Sequence, residues 1–129
     1  RGLGDVYKRQ LVCDAGMTEL VRPSRYDAYH AIEPVESASG REVADVVGPV
    51  CETGDFLALG RSLPVVDAGA LLAVHTSGAY GSVMGSRYNA RPLAPEVLVD
   101  GTRWAVVTAR ETYADLVRHD EGTPEWRQA

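Results

Sequence analysis

The sequence has 129 residues, a formal net charge of −5 and a hydrophobic fraction of 45%, which fits one domain with a packed core. The acidic balance and the absence of a basic run argue against a nucleic-acid partner, because phosphate binding needs a clustered basic face. The longest apolar run, residues 68–74, has the length of a buried strand and is too short for a membrane span, which takes roughly 20 residues.

The N-terminal segment, RGLGDVYKRQ, is polar and basic and ends where the apolar run Leu11-Val12-Cys13 begins. Its second half resembles translated adapter sequence, so we predict that residues 1–10 are a foreign processing or assembly scar. On this interpretation the native protein continues upstream. The alternative is a genuine, solvated N-terminal strand.

The first half of the remaining chain predicts strands separated by turns. Residues 11–14 fit the end of a strand, and residues 15–23 fit a turn and a short segment closed by a proline, which disfavours helix in the preceding residue. Apolar alternation over residues 26–35 predicts a strand. The Ser- and Gly-rich residues 36–41 favour a hairpin connection to a β-branched strand over residues 42–50, whose Gly-Pro pair suggests a bulge or an edge.

The middle of the chain mixes loops with short elements. Residues 51–55 predict a polar loop, and residues 56–59 are compatible with one helical turn. Residues 69–75 predict a strand, residues 76–81 a turn of small residues, and residues 82–87 a short helix.

The last part predicts a hairpin, with strands over residues 96–100 and 104–109 around a turn that contains Gly101. A terminal helix follows over residues 113–118. Many short strands with closely spaced turns predict a mainly β fold: an antiparallel β-sandwich or Greek-key barrel with a few short helices, forming one domain over residues 11–129.

The polar loop over residues 51–55 is the most informative string for function. It joins a thiol, two carboxylates and a glycine (Cys51, Glu52, Asp55 and Gly54) directly after a strand, and exposed loops on a rigid scaffold concentrate function. The alternative is a buried cysteine followed by a turn with solvated acids.

Arg22 and Tyr26 form a second candidate site. They are four residues apart, so one turn of helix would bring both side chains to one place, where a guanidinium and a phenol suit a carboxylate. Tyr80, flanked by Gly78 and Gly81, is a third candidate, because glycines let a backbone approach a ligand closely. The alternatives are a surface arginine with a packed tyrosine, and a hairpin with a packed tyrosine.

The cysteines and histidines do not predict a metal site. Cys13 and Cys51 have no Cys or His at ligand spacing, and two cysteines do not make a disulfide framework, so we expect reduced thiols in a cytoplasmic protein. His30 and His75 lie in apolar, strand-like runs and are expected to be packed or hydrogen-bonded. His119 stands apart from both.

Six strings, taken in chain order, resemble the diaminopimelate decarboxylase family and together cover nearly all of residues 11–118. They are Asp14-Ala15-Gly16-Met17, Arg22-Pro23-Ser24-Arg25-Tyr26, Tyr29-His30-Ala31-Ile32, Gly48-Pro49-Val50-Cys51-Glu52-Thr53-Gly54-Asp55, Gly78-Ala79-Tyr80 and Tyr88-Asn89-Ala90-Arg91-Pro92. No single string suffices, but the ordered set is specific. Two departures are mild: Thr53 stands where the family usually has serine, and Ser24-Arg25 stand where smaller or apolar residues are common.

The resemblance implies a two-domain enzyme that uses pyridoxal 5'-phosphate, with this chain as its C-terminal β-domain. An N-terminal β/α barrel, which this chain does not contain, would carry the Schiff-base lysine and most of the phosphate site. The active site would form at a homodimer interface, with the cysteine loop reaching into the partner's site. We expect the chain alone neither to turn over substrate nor to hold the cofactor tightly.

The resemblance also implies roles for five residues. Arg22 and Tyr26 would bind the carboxylate at the non-reacting end of meso-2,6-diaminopimelate, and Glu52 would accept from the ammonium at the same end. Tyr80 would contact both cofactor and substrate. Cys51 would be the proton donor that completes conversion to L-lysine, because a thiol with a reference pKa of about 8.5 is largely protonated at neutral pH.

The residue types bear on the substrate as well. A distal group with one isolated cation calls for acids and no arginine, whereas Arg22 beside Glu52 suits a distal group that bears both charges. Two alternatives stay open: another decarboxylase of the same fold, acting on carboxynorspermidine, arginine or ornithine, and a non-catalytic β-domain that binds a partner protein. We expect Cys51 to be partly exposed, so that it can deliver its proton, and Cys13 to be structural.

Overall fold

The computed structural model describes residues 9–120 and 122–127, and the chain divides into two compact units after Ser86. In chain order, the elements of the first unit are β1 (Arg9–Val12), α1 (Arg22–Tyr26), β2 (Ile32–Pro34), β3 (Arg41–Val47), β4 (Phe56–Pro64), β5 (Leu72–Val74) and α2 (Gly78–Met84). Those of the second unit are a 3₁₀ turn (Tyr88–Ala90), β6 (Glu96–Asp100), β7 (Arg103–Thr108) and α3 (Tyr113–Val117).

The main sheet of the first unit has the strand order β1-β3-β4. β1 pairs with β3 in parallel, with Leu11 beside Val46, and β3 pairs with β4 antiparallel. Register shifts on either side of Val46 mark an irregularity in the ladder, and such bulges bend and twist a strand locally. Beside it, the buried carboxylate of Asp45 accepts the N–H of Gly60 at 2.6 Å.

The core of the first unit joins the main sheet to β2 and to the turn that precedes α1. β2 pairs antiparallel with β5, which sets Ile32 beside Val74. Fully burying one large apolar side chain stabilises a fold by about 1.5–3 kcal/mol, so this cluster fixes the turn that carries Leu20, two residues before α1. The buried members are Leu20, Ile32, Val46, Leu57, Ala58 and Leu63.

The second unit contains a hairpin and a capped helix. β6 and β7 pair antiparallel, and every residue of both strands is exposed. Glu111 accepts hydrogen bonds from the Arg87 guanidinium and, at 3.0 Å, from the N–H of Leu93, and these bonds hold the pKa of its carboxyl below the usual value. α3 begins with a capping box between Thr112 and Asp115, a device that stabilises a helix by about 1 kcal/mol.

Two predictions of strands and turns were wrong, and a third strand was predicted too long, each because a distant partner decides the local structure. Residues 56–59 begin β4 and are not a helical turn, since Phe56 pairs with Val47. Residues 36–41 do not connect a hairpin, because β2 pairs with β5 while β3 pairs with β1 and β4. β5 is confined to Leu72–Val74 because its partner β2 has three residues.

The two short helices of the first unit depart from the prediction: α1 lies where proline was expected to disfavour a helix, and α2 begins earlier than residue 82. α1 starts at Arg22, with Pro23 in its first turn, where the missing N–H of proline removes no helical hydrogen bond. The strand predicted from Tyr26 begins only at Ile32. α2 starts at Gly78 within the predicted turn of small residues.

The described residues confirm a mainly β chain with three short helices, and they confirm the hairpin and helix predicted in its last part. The parallel pairing of β1 with β3 departs from the all-antiparallel expectation. Of the segment predicted to be foreign, residues 1–8 lie outside the described residues, while Arg9 and Gln10 lie in β1 beside Ala44 and Asp45.

Candidate functional site

α1 presents two of the predicted site residues in one helical turn. Arg22 opens the helix and is half-buried, and Tyr26 ends it and is 60% exposed. The helix ends there because Asp27 adopts a left-handed conformation, φ +52°, and returns its N–H to the carbonyl of Arg22. The predicted spacing of four residues within one turn of helix is therefore present.

α2 places Tyr80 against the side chain of Arg22. The guanidinium carbon of Arg22 lies 5.4 Å from the centre of the Tyr80 ring, which is within cation–π range. Gly81, the next residue, is buried against the turn before α1: a Cβ added there would be in ordinary van der Waals contact with Leu20 Cδ1 at 3.5 Å and the carbonyl oxygen of Glu19 at 3.9 Å. The turn before α1 and the helix α2 are thus in close contact.

The predicted cysteine loop follows β3 and exposes its functional groups. Cys51 and Glu52 are both exposed. One carboxylate oxygen of Glu52 accepts the hydroxyl of Thr53 at 3.1 Å and the N–H of Gly54 at 3.4 Å. The threonine that departs from the family pattern therefore supplies a hydroxyl that helps to orient the glutamate.

The cysteine loop lies against the segment that carries Arg22. A Cβ added to Gly54 would be 3.8 Å from the Cβ of Ser24 in α1. Asp55 accepts the N–H of Met17, in the turn before α1, at 2.7 Å. Arg22 contacts Tyr80 directly, and the loop with Cys51 and Glu52 is attached to the same helix and turn. All five predicted site residues belong to the first unit: Arg22, Tyr26, Cys51, Glu52 and Tyr80.

One residue of this arrangement was missed at the level of sequence. Asp55 was treated only as an acid of the polar loop, yet it is 5% exposed and bonded to two separate backbone segments. The sequence signal that could have pointed to Asp55 was a glycine in each of those segments, Gly16 and Gly48. Only the three-dimensional structure shows that the two glycines enclose the same carboxylate.

The two thiols differ in exposure as predicted. Cys13 is half-buried and packs against the core, and burial, together with the nearby charge of Asp14, raises the pKa of its thiol. Because the thiolate is the reactive form, we expect iodoacetamide to modify Cys51 faster than Cys13 in the folded chain, by roughly tenfold or more. Peptide mass spectrometry over time measures both rates, and faster labelling of Cys13 would contradict the structure.

His30 is packed and hydrogen-bonded as expected, whereas the side chain of His75 is exposed. His30 is 3% exposed, and its Nδ1 lies 3.0 Å from the carbonyl oxygen of His75. The ring of His75 lies 3.4 Å from the Glu33 carboxylate. Across residues 9–120 and 122–127, no group of three or more His, Cys, Asp or Glu side chains could hold a metal ion. Within the same ranges, no helix has the length and apolar character needed to cross a membrane.

The described residues fit one wall of a pyridoxal phosphate pocket. Their sequence contains no lysine, since the single lysine of the chain is Lys8, so an amine that forms the Schiff base would have to lie outside the described part. Tyr80 is 60% exposed on the helix beside Arg22. An exposed phenol of this kind can donate to a phosphate or contact a ring, which suits a side wall and not a covalent anchor.

Comparison with known proteins places the chain in a family. Residues 4–78 match the family described as pyridoxal-dependent decarboxylase, C-terminal sheet domain. Diaminopimelate decarboxylase of Archaeoglobus fulgidus is 48% identical over 122 residues, covering 93% of this chain and 29% of that protein.

Two solved structures show the same likeness. AQ1208 of Aquifex aeolicus superposes with a TM-score of 0.88 at 47% identity, over 95% of this chain and 30% of that one. Diaminopimelate decarboxylase of Helicobacter pylori complexed with L-lysine superposes with a TM-score of 0.82 at 41% identity, over 88% of this chain and 28% of that one. The chain therefore spans less than a third of the length of the relatives that it matches.

Proposed function

The chain belongs to the family of pyridoxal-dependent decarboxylase C-terminal sheet domains, and on that premise we propose that it forms the substrate-binding and proton-donor half of a diaminopimelate decarboxylase. The complete enzyme converts meso-2,6-diaminopimelate to L-lysine and carbon dioxide, the final step of lysine biosynthesis. Pyridoxal phosphate, when bound, supplies the electron sink that lets the carboxylate leave. The Helicobacter pylori relative was solved with L-lysine, the product of this reaction.

The observation that carries the proposal is the contact between Arg22 and Tyr80, with the Cys51–Glu52 loop attached to the same helix. In the proposed site, the Arg22 guanidinium makes bidentate hydrogen bonds to the distal carboxylate of the substrate, and the phenol of Tyr26 donates a further hydrogen bond. The ring of Tyr80 holds the guanidinium in place from one side. Its hydroxyl contacts cofactor and substrate.

Glu52 completes recognition of the distal end by accepting from the ammonium group. A distal carbon that bears both a carboxylate and an ammonium needs an arginine and an acid together, and in the homodimer proposed below Arg22 comes from one subunit and Glu52 from the loop of the other. A substrate without the distal carboxylate would leave the guanidinium unpaired, which costs about 1–3 kcal/mol of binding or more for a charged group. The site is thus suited to diaminopimelate over lysine-like diamine precursors.

Cys51 acts at the other end of the substrate. Once carbon dioxide has left, the reacting carbon holds an electron pair; the Sγ–H bond of Cys51 breaks and a C–H bond forms. The sulfur keeps the electrons of its former bond as a thiolate, which solvent reprotonates. Exposure of the thiol on a loop supports this role, because the side chain can reach a pocket that the chain does not itself enclose.

The assembly proposed for the complete protein is a homodimer in the cytoplasm, without a nucleic-acid or membrane partner. In it, residues 11–129 form the C-terminal β-domain, and the Schiff-base lysine comes from an N-terminal β/α barrel. The Cys51 loop reaches from one subunit into the pocket of the other. This placement explains why exposed polar residues follow β3 on a loop rather than lining an enclosed cavity.

The decisive experiment is a substrate panel on the full-length protein loaded with pyridoxal phosphate. We expect carbon dioxide release from meso-diaminopimelate with kcat/KM at least about 100-fold above that for L-lysine, L-ornithine, L-arginine or carboxynorspermidine. The isolated 129-residue chain should show no turnover. Preference for one of the other four substrates would replace the proposal with that decarboxylase, and no turnover of any of them would favour a non-catalytic domain.

A further inference from the structure

A single buried carboxylate joins the two segments that carry the proposed site residues. Asp55 is 5% exposed. Its Oδ1 accepts the N–H of Met17 at 2.7 Å, and its Oδ2 accepts the N–H of Val50 at 2.5 Å. Met17 lies in the turn that leads to Arg22, and Val50 directly precedes Cys51. One side chain therefore holds both segments by their backbones.

Two glycines enclose this carboxylate so tightly that no larger residue fits. A Cβ added to Gly16 would lie 2.1 Å from Asp55 Oδ1, and one added to Gly48 would lie 2.3 Å from the same atom. Distances under about 3.0 Å are not found for real Cβ atoms. The N–H of Gly48 also donates to the backbone carbonyl of Asp55 at 3.0 Å. The backbones before α1 and after β3 thus close on Asp55 from two sides.

We propose that Asp55 is a positioning residue for the decarboxylation: by fixing the Cys51 loop to the turn before α1, it sets where the loop projects from its own domain toward the partner's pocket. The inference rests on the function proposed above. The two oxygens of the side chain accept from two N–H groups on different segments, whereas the amide of the same size has only one acceptor oxygen. Asparagine keeps one acceptor and turns its NH₂ group toward the other N–H, so two donors face each other. One of the two segments must then move.

The test compares two matched variants of the full-length holoenzyme, Asp55→Asn and Asp45→Asn. Asp45 is 8% exposed and accepts the N–H of Gly60 at 2.6 Å, so both substitutions disturb a buried carboxylate that is bonded to backbone. We expect Asp55→Asn to lower kcat for meso-diaminopimelate by about 10- to 100-fold at temperatures where it is folded, because small misplacements of a catalytic group have effects of this size. Asp45→Asn should lower Tm and leave kcat near wild type.

The rate of Cys51 alkylation provides a readout that does not depend on turnover. We expect Asp55→Asn to change this rate by at least about threefold in the folded protein, since the loop is released from Val50 onward, and Asp45→Asn to leave it unchanged. Equal losses of Tm with wild-type kcat and wild-type Cys51 reactivity in both variants would overturn the proposal. A wild-type protein without diaminopimelate decarboxylation would overturn the proposed function instead, while the alkylation comparison still decides the role of Asp55.

A second variant keeps the proposal testable if Asp55→Asn does not fold. Gly48→Ala retains the carboxylate but pushes it from the loop side, where the added Cβ lies within 2.6 Å of three atoms of the Asp55 side chain. We expect the same fall in kcat and the same change in Cys51 reactivity. Gly60→Ala, at a residue with open space around it but a φ of +57°, is its matched control for stability alone. Wild-type kcat and reactivity in folded Gly48→Ala would contradict the positioning role.

Discussion

Replacing Cys51 with alanine in the full-length enzyme is expected to lower kcat for meso-diaminopimelate by about 10²–10⁴-fold, the usual contribution of a positioned proton donor. KM should change little, because the thiol acts on the reacting carbon and not on the distal end that Arg22 and Glu52 bind. Tm should stay near wild type, since Cys51 is exposed and outside the core. Steady-state kinetics and a thermal melt measure all three quantities.

The stereochemistry of the product separates loss of a proton donor from general damage. In D₂O, the wild-type enzyme should place deuterium on one face of the carbon that lost carbon dioxide. The Cys51→Ala variant, protonated by solvent, should give a mixture of the two faces. Cys13→Ala is the matched control, because Cys13 is the other thiol and packs against the core. Retained kcat and single-face labelling in Cys51→Ala would assign the proton to another donor.

A mixing experiment tests whether the Cys51 loop serves the neighbouring subunit. The Cys51→Ala and Arg22→Ala homodimers, both of low activity when assayed at substrate concentrations well below KM, are dissociated together and reassembled. If Cys51 of one subunit works with Arg22 of the other, each mixed dimer contains one intact site and one doubly altered site, so about a quarter of wild-type activity returns. If both residues act within one subunit, the mixed dimer contains no intact site and activity stays at the level of the parents.

The parts of the site that could be predicted from sequence are those that local spacing determines. Arg22 and Tyr26 are four residues apart, which places them in one turn once the segment is helical, as it is in α1. The 51–55 loop follows from polar residues between apolar runs, and the structure exposes Cys51 there. The hairpin of β6 and β7 follows from strand-forming residues around Gly101. In each case the residues that determine the local structure lie within a few positions of the element that they form.

The features that sequence could not give depend on contacts between distant segments. The parallel pairing of Leu11 with Val46 and the stacking of Arg22 on Tyr80 join residues more than thirty positions apart. Residues 56–59 carry no pattern that excludes a helical turn, and they became a strand because β3 offered a partner. The role of Asp55 needs Gly16, Gly48 and two backbone N–H groups at once. Neither the hydrophobic periodicity of a segment nor its turn residues show which distant segment it will contact.

Replacing Arg22 with alanine is expected to reduce kcat/KM for meso-diaminopimelate by roughly 10- to 100-fold, from the loss of about 1.5–3 kcal/mol of hydrogen bonding to a charged group. The change should fall mainly on KM, because the distal carboxylate is bound equally in the ground state and the transition state. Arg22→Lys should restore only part of the loss, since an ammonium has neither the planar fork nor the stacking surface that Tyr80 contacts.

The matched control is Arg25→Ala, which removes the same side chain three residues along α1 from an exposed position. It should leave kcat/KM within about twofold of wild type, as surface substitutions usually do. Specificity gives the sharper comparison: Arg22→Ala should lose activity on meso-diaminopimelate without losing any on L-lysine, because L-lysine has no distal carboxylate to lose contact with. The ratio of the two kcat/KM values therefore reports on the guanidinium alone. Equal falls on both substrates would mean that Arg22 supports the fold of the pocket, and that a different residue reads the second carboxylate.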